Sequence, residues 1–132
     1  MRYFDHEKLD VYKIAFEFVM ATESIINQLP KGRAYLVDQL QRAGSSVLLN
    51  IAEGAGEFSA NEKIRFYRMA RRSATECSGI LDICKGLHFL EEESYLAIRS
   101  LLLRIVSMLT KLVRTPSIRQ MEKQALTSQR CG

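Results

Sequence analysis

The sequence predicts an all-α protein, an antiparallel up-down four-helix bundle. Three observations carry this expectation. Apolar residues recur at spacings of three and four along four separate stretches, period-two alternation is missing, and the breaks between stretches are short and hold proline, glycine or a capping pattern. Helices joined by short connections pack as neighbours of alternating direction. With 132 residues, 47% of them hydrophobic, the chain suits one domain that buries a core without metal or disulfide. The bundle is assigned to residues 1–116 and a basic, loosely ordered tail to residues 117–132.

The first helix is expected over about residues 5–28, with an apolar seam of Leu9, Tyr12, Phe16, Val19, Ile26 and Leu29, and Pro30 and Gly32 end it. The second, about 33–53, follows Leu36, Leu40, Ala43, Val47 and Asn50, with Val37, Leu48 and Ile51 widening the arc. Gly54 then stands where a left-handed cap is expected. The third, about 60–88, opens on Ser59-Ala60-Asn61-Glu62, a capping box in which hydroxyl and carboxylate satisfy exposed amides. Its seam is Phe66, Ala70, Ser73, Cys77, Ile80, Cys84 and Leu87. The fourth, about 91–114, starts on three glutamates and ends on Lys111 and Arg114, each suited to the helix dipole. Tyr95, Ile98, Leu102, Ile105, Leu109 and Leu112 form its seam, and Thr115-Pro116 stops it.

Several function classes find no support. No stretch reaches the roughly 18 apolar residues of a membrane span, and the charged opening MRYFDHEKLD has no signal-peptide core, so a cytoplasmic location is expected. Cys77 and Cys84 stand seven apart on one helix, about 10 Å along its axis, too far for a disulfide. They read as reduced core thiols, and Cys131 in the tail as incidental. The two histidines, His6 and His88, make no Glu-x-x-His or zinc spacing, so no metal and no cofactor are expected. Gly54-Ala55-Gly56 lacks the Lys-Ser/Thr and the preceding strand of a phosphate loop. No nucleophile is paired with a base. The chain is therefore read as a non-enzyme with no catalytic residue and no small-molecule substrate.

Two polar rows remain. Gln39, Arg42, Ser46, Asn50 and Glu53 fall within about 80° of helix circumference beside the apolar stripe. With Gly54 they read as a structural or interface network, because buried polar groups require partners. On the third helix Asn61, Arg65, Arg68 and Arg72 lie within about 60° of each other. With Lys63 and Arg71 they give an excess of four positive charges against Glu62. A second excess of four runs from Lys111 through Arg119, Lys123 and Arg130, on a chain whose net charge is only +4. Two basic segments on an acidic body point to an anionic partner, nucleic acid first. Lys63, Arg65, Arg68, Arg71, Arg72, Arg119, Lys123 and Arg130 are the candidate contacts, arginine being favoured by its phosphate-matching fork.

The motifs add a family resemblance. Leu9-Asp10-Val11-Tyr12-Lys13-Ile14-Ala15 resembles the L-x-V-[WY]-x-x-A opening of the bacterial four-helix-bundle family of 23S rRNA intervening-sequence proteins. The segment from Gln39 to Gly54, QLQRAGSSVLLNIAEG, resembles that family's Q-L-x-R-A-x-x-S-x-x-x-N-I-A-E-G signature, and Phe66 to Glu76 resembles the segment that follows. The resemblance spans about residues 5–114. It departs at Arg72, where the family commonly has Gly, and at Glu57, where it often has Arg. It implies a bundle assembled into a ring, a homopentamer, an association with ribosomal RNA or ribosomes, and no catalytic activity. Relatives include accessory proteins of diversity-generating retroelements that bind nucleic acid and a reverse transcriptase. The expected function is a non-enzymatic oligomeric bundle that associates with RNA or ribonucleoprotein. The alternative is a protein–protein interaction scaffold without nucleic-acid binding.

Overall fold

The computed structural model describes residues 2–114. They form four α-helices, α1 (Asp10–Ile26), α2 (Ala34–Ala55), α3 (Ala60–Gly86) and α4 (Glu92–Val113), with no strand among the described residues. The tail expected at residues 117–132, with Arg119, Lys123, Arg130 and Cys131, lies outside them. A short 3-10 helix, Asp5–Lys8, precedes α1, and Leu9 is extended between the two. The first helix thus starts later than expected. His6 packs its ring on Phe4 and Tyr12, at 5.5 and 4.5 Å between centroids, so aromatic contact fixes this turn. The other helix bounds fall within two residues of expectation.

Each helix packs on two others: α2 on α1 and α3, α4 on α3 and α1, with α2–α3 the most extensive interface. On α2 the expected seam is the buried one: Leu36, Leu40, Ala43, Val47 and Asn50 all face inward. On α4, Ile98, Leu102, Ile105 and Leu109 are buried as expected, while Tyr95 and Leu112 sit at the rim. On α1 the expected stripe is rotated. Val11, Ala15, Phe18, Thr22 and Ile25 form the core face, and Phe16 is left half-exposed. Two apolar stripes compete on this helix, and the expected one passes over Thr22. Its hydroxyl donates to the Val19 carbonyl at 2.6 Å, which removes the cost of burying it. On α3, Ile64, Tyr67, Ala74 and Leu81 join Ala70, Cys77, Ile80 and Cys84 inside, whereas Phe66 and Ser73 lie at the edge and Leu87 is exposed beyond the helix end. This helix packs on both α2 and α4, so its buried arc is wider than one seam.

Gly54 requires the largest correction. It is not a left-handed cap: among the described glycines only Gly32 has positive φ, at 92°. Gly54 is a buried interior residue of α2, and the helix ends at Gly56 in ordinary right-handed geometry (φ −82°). A Cβ on Gly54 would stand 2.8 Å from Tyr67 Cε1 and 3.0 Å from Phe66 Cβ. The glycine is there because α3 comes too close for any side chain.

The left-handed turn falls instead at the end of α3. His88 has φ 63°, with Phe89 N–H donating to Cys84 O and His88 N–H to Lys85 O, both at 2.9 Å. These are the paired bonds of a Schellman closure, with histidine where glycine is favoured. His88→Gly removes the left-handed penalty, and thermal melting should show a gain of about 1 kcal/mol. Beyond the turn, Lys85 pairs with Glu92 at 3.0 Å and Tyr95 donates to Asp82 at 2.6 Å, joining α3 to α4. That hydrogen bond, more than desolvation, raises the Tyr95 phenol above its ordinary pKa. Cys77 and Cys84 are free and buried, and burial pushes the Cys77 thiol up to about 12. Both are therefore unsuited to nucleophilic work at neutral pH. No helix among the described residues is long and apolar enough to cross a membrane.

Candidate nucleic-acid interface

The predicted polar row and basic row meet on one side of the molecule, where α2 packs on α3. Four contacts set their relation. Arg42 Nη2 lies 3.6 Å from Glu76 Oε1, Ser46 Oγ 2.7 Å from Ser73 Oγ, and the Lys63 ammonium donates to the carbonyls of Gly54 at 3.3 Å and Ala55 at 2.9 Å. The closely packed glycine is the fourth. Asn50 Nδ2 donates to Ser46 O at 2.8 Å and to Ser46 Oγ at 3.0 Å. A carbonyl only accepts, so this bond fixes the amide's orientation. The middle of the row is thus a hydrogen-bonded seam within the chain. Its flanks, Gln39, Arg42 and Glu53, are exposed. The Arg42–Glu76 pair is solvent-facing and contributes at most about 1 kcal/mol.

The basic residues separate into three groups. Lys63 is spent on the C-terminal carbonyls of α2, where a cation also meets the negative end of the helix dipole. Arg71 turns toward α4 and donates to Thr110 Oγ1 at 3.4 Å. Arg65, Arg68 and Arg72 share the exposed face of α3 with Asn61. Ser59 begins that helix as expected, accepting from Glu62 N–H at 3.4 Å. The Glu62 carboxylate does not complete the capping box; it takes two bonds from Arg65, at 2.8 and 3.2 Å. The same guanidinium lies 4.5 Å from the Phe66 ring, so a flat cation is held with one edge paired and one face covered.

Two open grooves adjoin along this face. The first, about 420 Å³, is lined by Asn61, Ile64, Arg65, Arg68, Met69 and Arg72. The second, about 340 Å³, is lined by Ser46, Asn50, Met69, Arg72, Ser73 and Glu76. Met69 and Arg72 belong to both, so one side is cationic and the other carries uncharged polar groups and a carboxylate. Ser73, Met69 and Glu76 were not among the predicted site residues. Ser73 did carry a signal: a hydroxyl on a predicted apolar seam must find a partner, and its partner is Ser46. No group of three or more His, Cys, Asp or Glu among the described residues is arranged to hold a metal ion.

A profile of the 23S rRNA-intervening sequence protein family matches residues 7–111. The chain belongs to that family. The matched region takes in all of α1, α2 and α3 and nearly all of α4. Its fold is similar to a crystal structure of a protein of unknown function from the S23 ribosomal protein family of Bacteroides thetaiotaomicron. That similarity has a TM-score of 0.74 at 21% identity, covering 80% of this chain and 99% of the other. At that identity the likeness concerns the fold. A search of curated proteins returned no match.

Proposed function

We propose that this protein is a non-enzymatic bundle that self-assembles and associates with ribosomal RNA or ribonucleoprotein in the cytoplasm. The observation that carries the reading is the exposed row of Arg65, Arg68 and Arg72 along one groove of α3. Three guanidiniums in line place positive charge along the path of successive phosphates. The family's name, which refers to a 23S rRNA intervening sequence, supports the same partner class. The pairings of Arg42 with Glu76, Ser46 with Ser73 and Gly54 with Lys63 support an antiparallel, up-down order. Half-exposed Phe16, Met20, Leu49, Leu96 and Leu103 support self-association, which the family resemblance extends to a five-membered ring.

The mechanism is phosphate neutralisation, so affinity for a structured RNA fragment should fall steeply between 50 and 300 mM salt, with a log–log slope of about −2 to −3 per subunit engaged. In fluorescence anisotropy, Arg72→Ala should weaken binding and flatten that slope by about one contact, with melting unchanged. Binding that is absent or indifferent to salt would sink the reading. Phe58 favours a second reading, a protein-interaction scaffold. It is fully exposed at the α2–α3 turn, a position a protein partner would cover. Partner capture that survives nuclease treatment would favour the scaffold.

A further inference from the structure

The polar groove beside the arginines has hydrogen-bonding capacity that the fold does not use. Ser46 and Ser73 carry two hydroxyl hydrogens, and only one lies between them at 2.7 Å. Ser46 Oγ already accepts from Asn50, so one hydroxyl hydrogen is left to donate outward. Asn50 turns its nitrogen to Ser46, which leaves Oδ1 as a fixed acceptor with no partner among the described residues. Glu76 adds a carboxylate, one oxygen of which lies 3.6 Å from Arg42. The half-exposed Met69 thioether supplies an apolar wall, and Arg72 a flat cation at the junction with the phosphate groove. A fixed acceptor beside a hydroxyl donor, a second acceptor close by, and a polarisable wall are the surroundings of a nucleobase edge rather than of another phosphate.

We propose that this groove takes one unpaired adenine or cytosine of an RNA strand whose phosphates run along Arg65, Arg68 and Arg72; the inference rests on the RNA reading above. Both bases set an amino donor next to a ring-nitrogen acceptor. The amino hydrogens meet Asn50 Oδ1 and Glu76, the ring nitrogen meets the free serine hydroxyl, and Arg72 covers the base while the backbone turns into the first groove. Uracil turns its O4 carbonyl to these acceptors and its N3–H to the hydroxyl hydrogen, and is disfavoured. The groove's roughly 340 Å³ is large enough for a base.

The test compares six-nucleotide strands of oligo(A), oligo(C), oligo(U) and an abasic backbone, each titrated with the full-length protein by fluorescence anisotropy. The expected result is about tenfold tighter binding of oligo(A) and oligo(C) than of the other two, the discrimination of one good base contact. Asn50→Ala should reduce that preference. Because Asn50 is also part of the α2–α3 seam, Glu76→Ala at an exposed position is the second variant, and it should reduce the preference at least threefold. The readout is the ratio between strands, which the change of net charge leaves untouched. Equal binding of all four strands overturns the base site and leaves the phosphate reading standing. No binding by any strand or by structured RNA overturns both. A preference that neither variant changes overturns the assignment to this groove.

Discussion

Gly54→Val should lower stability by about 3 kcal/mol or more and loosen α2 from α3. An added Cβ meets the Tyr67 ring at 2.8 Å and Phe66 Cβ at 3.0 Å, and neither neighbour is free to move away. Tyr67 is buried, and a Cβ moves only with its backbone. Overpacking of this kind costs about 1–3 kcal/mol for small insertions, and valine adds two further methyl groups and a stiff branch. Gly54→Ala is the graded case. It regains about 1 kcal/mol of helix propensity, which the clash outweighs, for a net loss of about 1–2 kcal/mol. Gly56→Ala is the control. Its Cβ would rest 3.7 Å from the nearest atom in right-handed geometry, so the change should be within about 0.5 kcal/mol. Urea midpoints at constant m-value decide the ranking. A harmless Gly54→Val would mean that the α2–α3 contact is not as close as described.

The second large effect distinguishes two phenylalanines two residues apart. Phe18→Ala should cost about 3–5 kcal/mol, because a fully buried ring leaves a cavity that its neighbours cannot fill. The ring faces Gly44 on α2, where an added Cβ would meet Phe18 Cε1 at 3.7 Å. A loss of that size approaches the total stability of many domains, so the variant should be partly unfolded at ambient temperature. Phe16→Ala should cost about 1 kcal/mol or less, since that ring is 48% exposed. If Phe16 proved the costlier truncation, the rotation of α1 would be the one the apolar spacing first predicts.

That rotation shows what could be read from the residues and what could not. The class, the helix count and the bounds of α2, α3 and α4 follow from apolar spacing and end signals, which are local. Where one apolar stripe dominates, as on α2 and α4, the buried face is legible too. On α1 two stripes fit the period, and the choice rests on a single Thr22 hydroxyl finding its own helix carbonyl. Gly54 is ambiguous in the sequence for a similar reason. Glycine near a helix end has two physical explanations, a special φ or a close approach, and only the position of Tyr67 distinguishes them. At the candidate interface, Arg65, Arg68 and Arg72 were legible as a face. That Lys63 reaches back to the α2 carbonyls, that Arg71 turns to Thr110, and that Ser73 and Glu76 complete a groove depend on contacts between helices, which no single helix encodes.

The glycine packed under Tyr67 has a mechanical consequence. Two smooth helices can slide past each other by a turn, about 5.4 Å, and keep most of their apolar contact. Here a slip would drive side chains into the notch, pull Lys63 from its carbonyls and part Ser46 from Ser73 together. The alignment of the two helices is therefore stored in their shared flank and not in the Glu57–Phe58 connection. That turn can vary in length or composition while the spacing between the arginine row and the polar groove stays fixed, like a detent that holds two sliding rods at one setting.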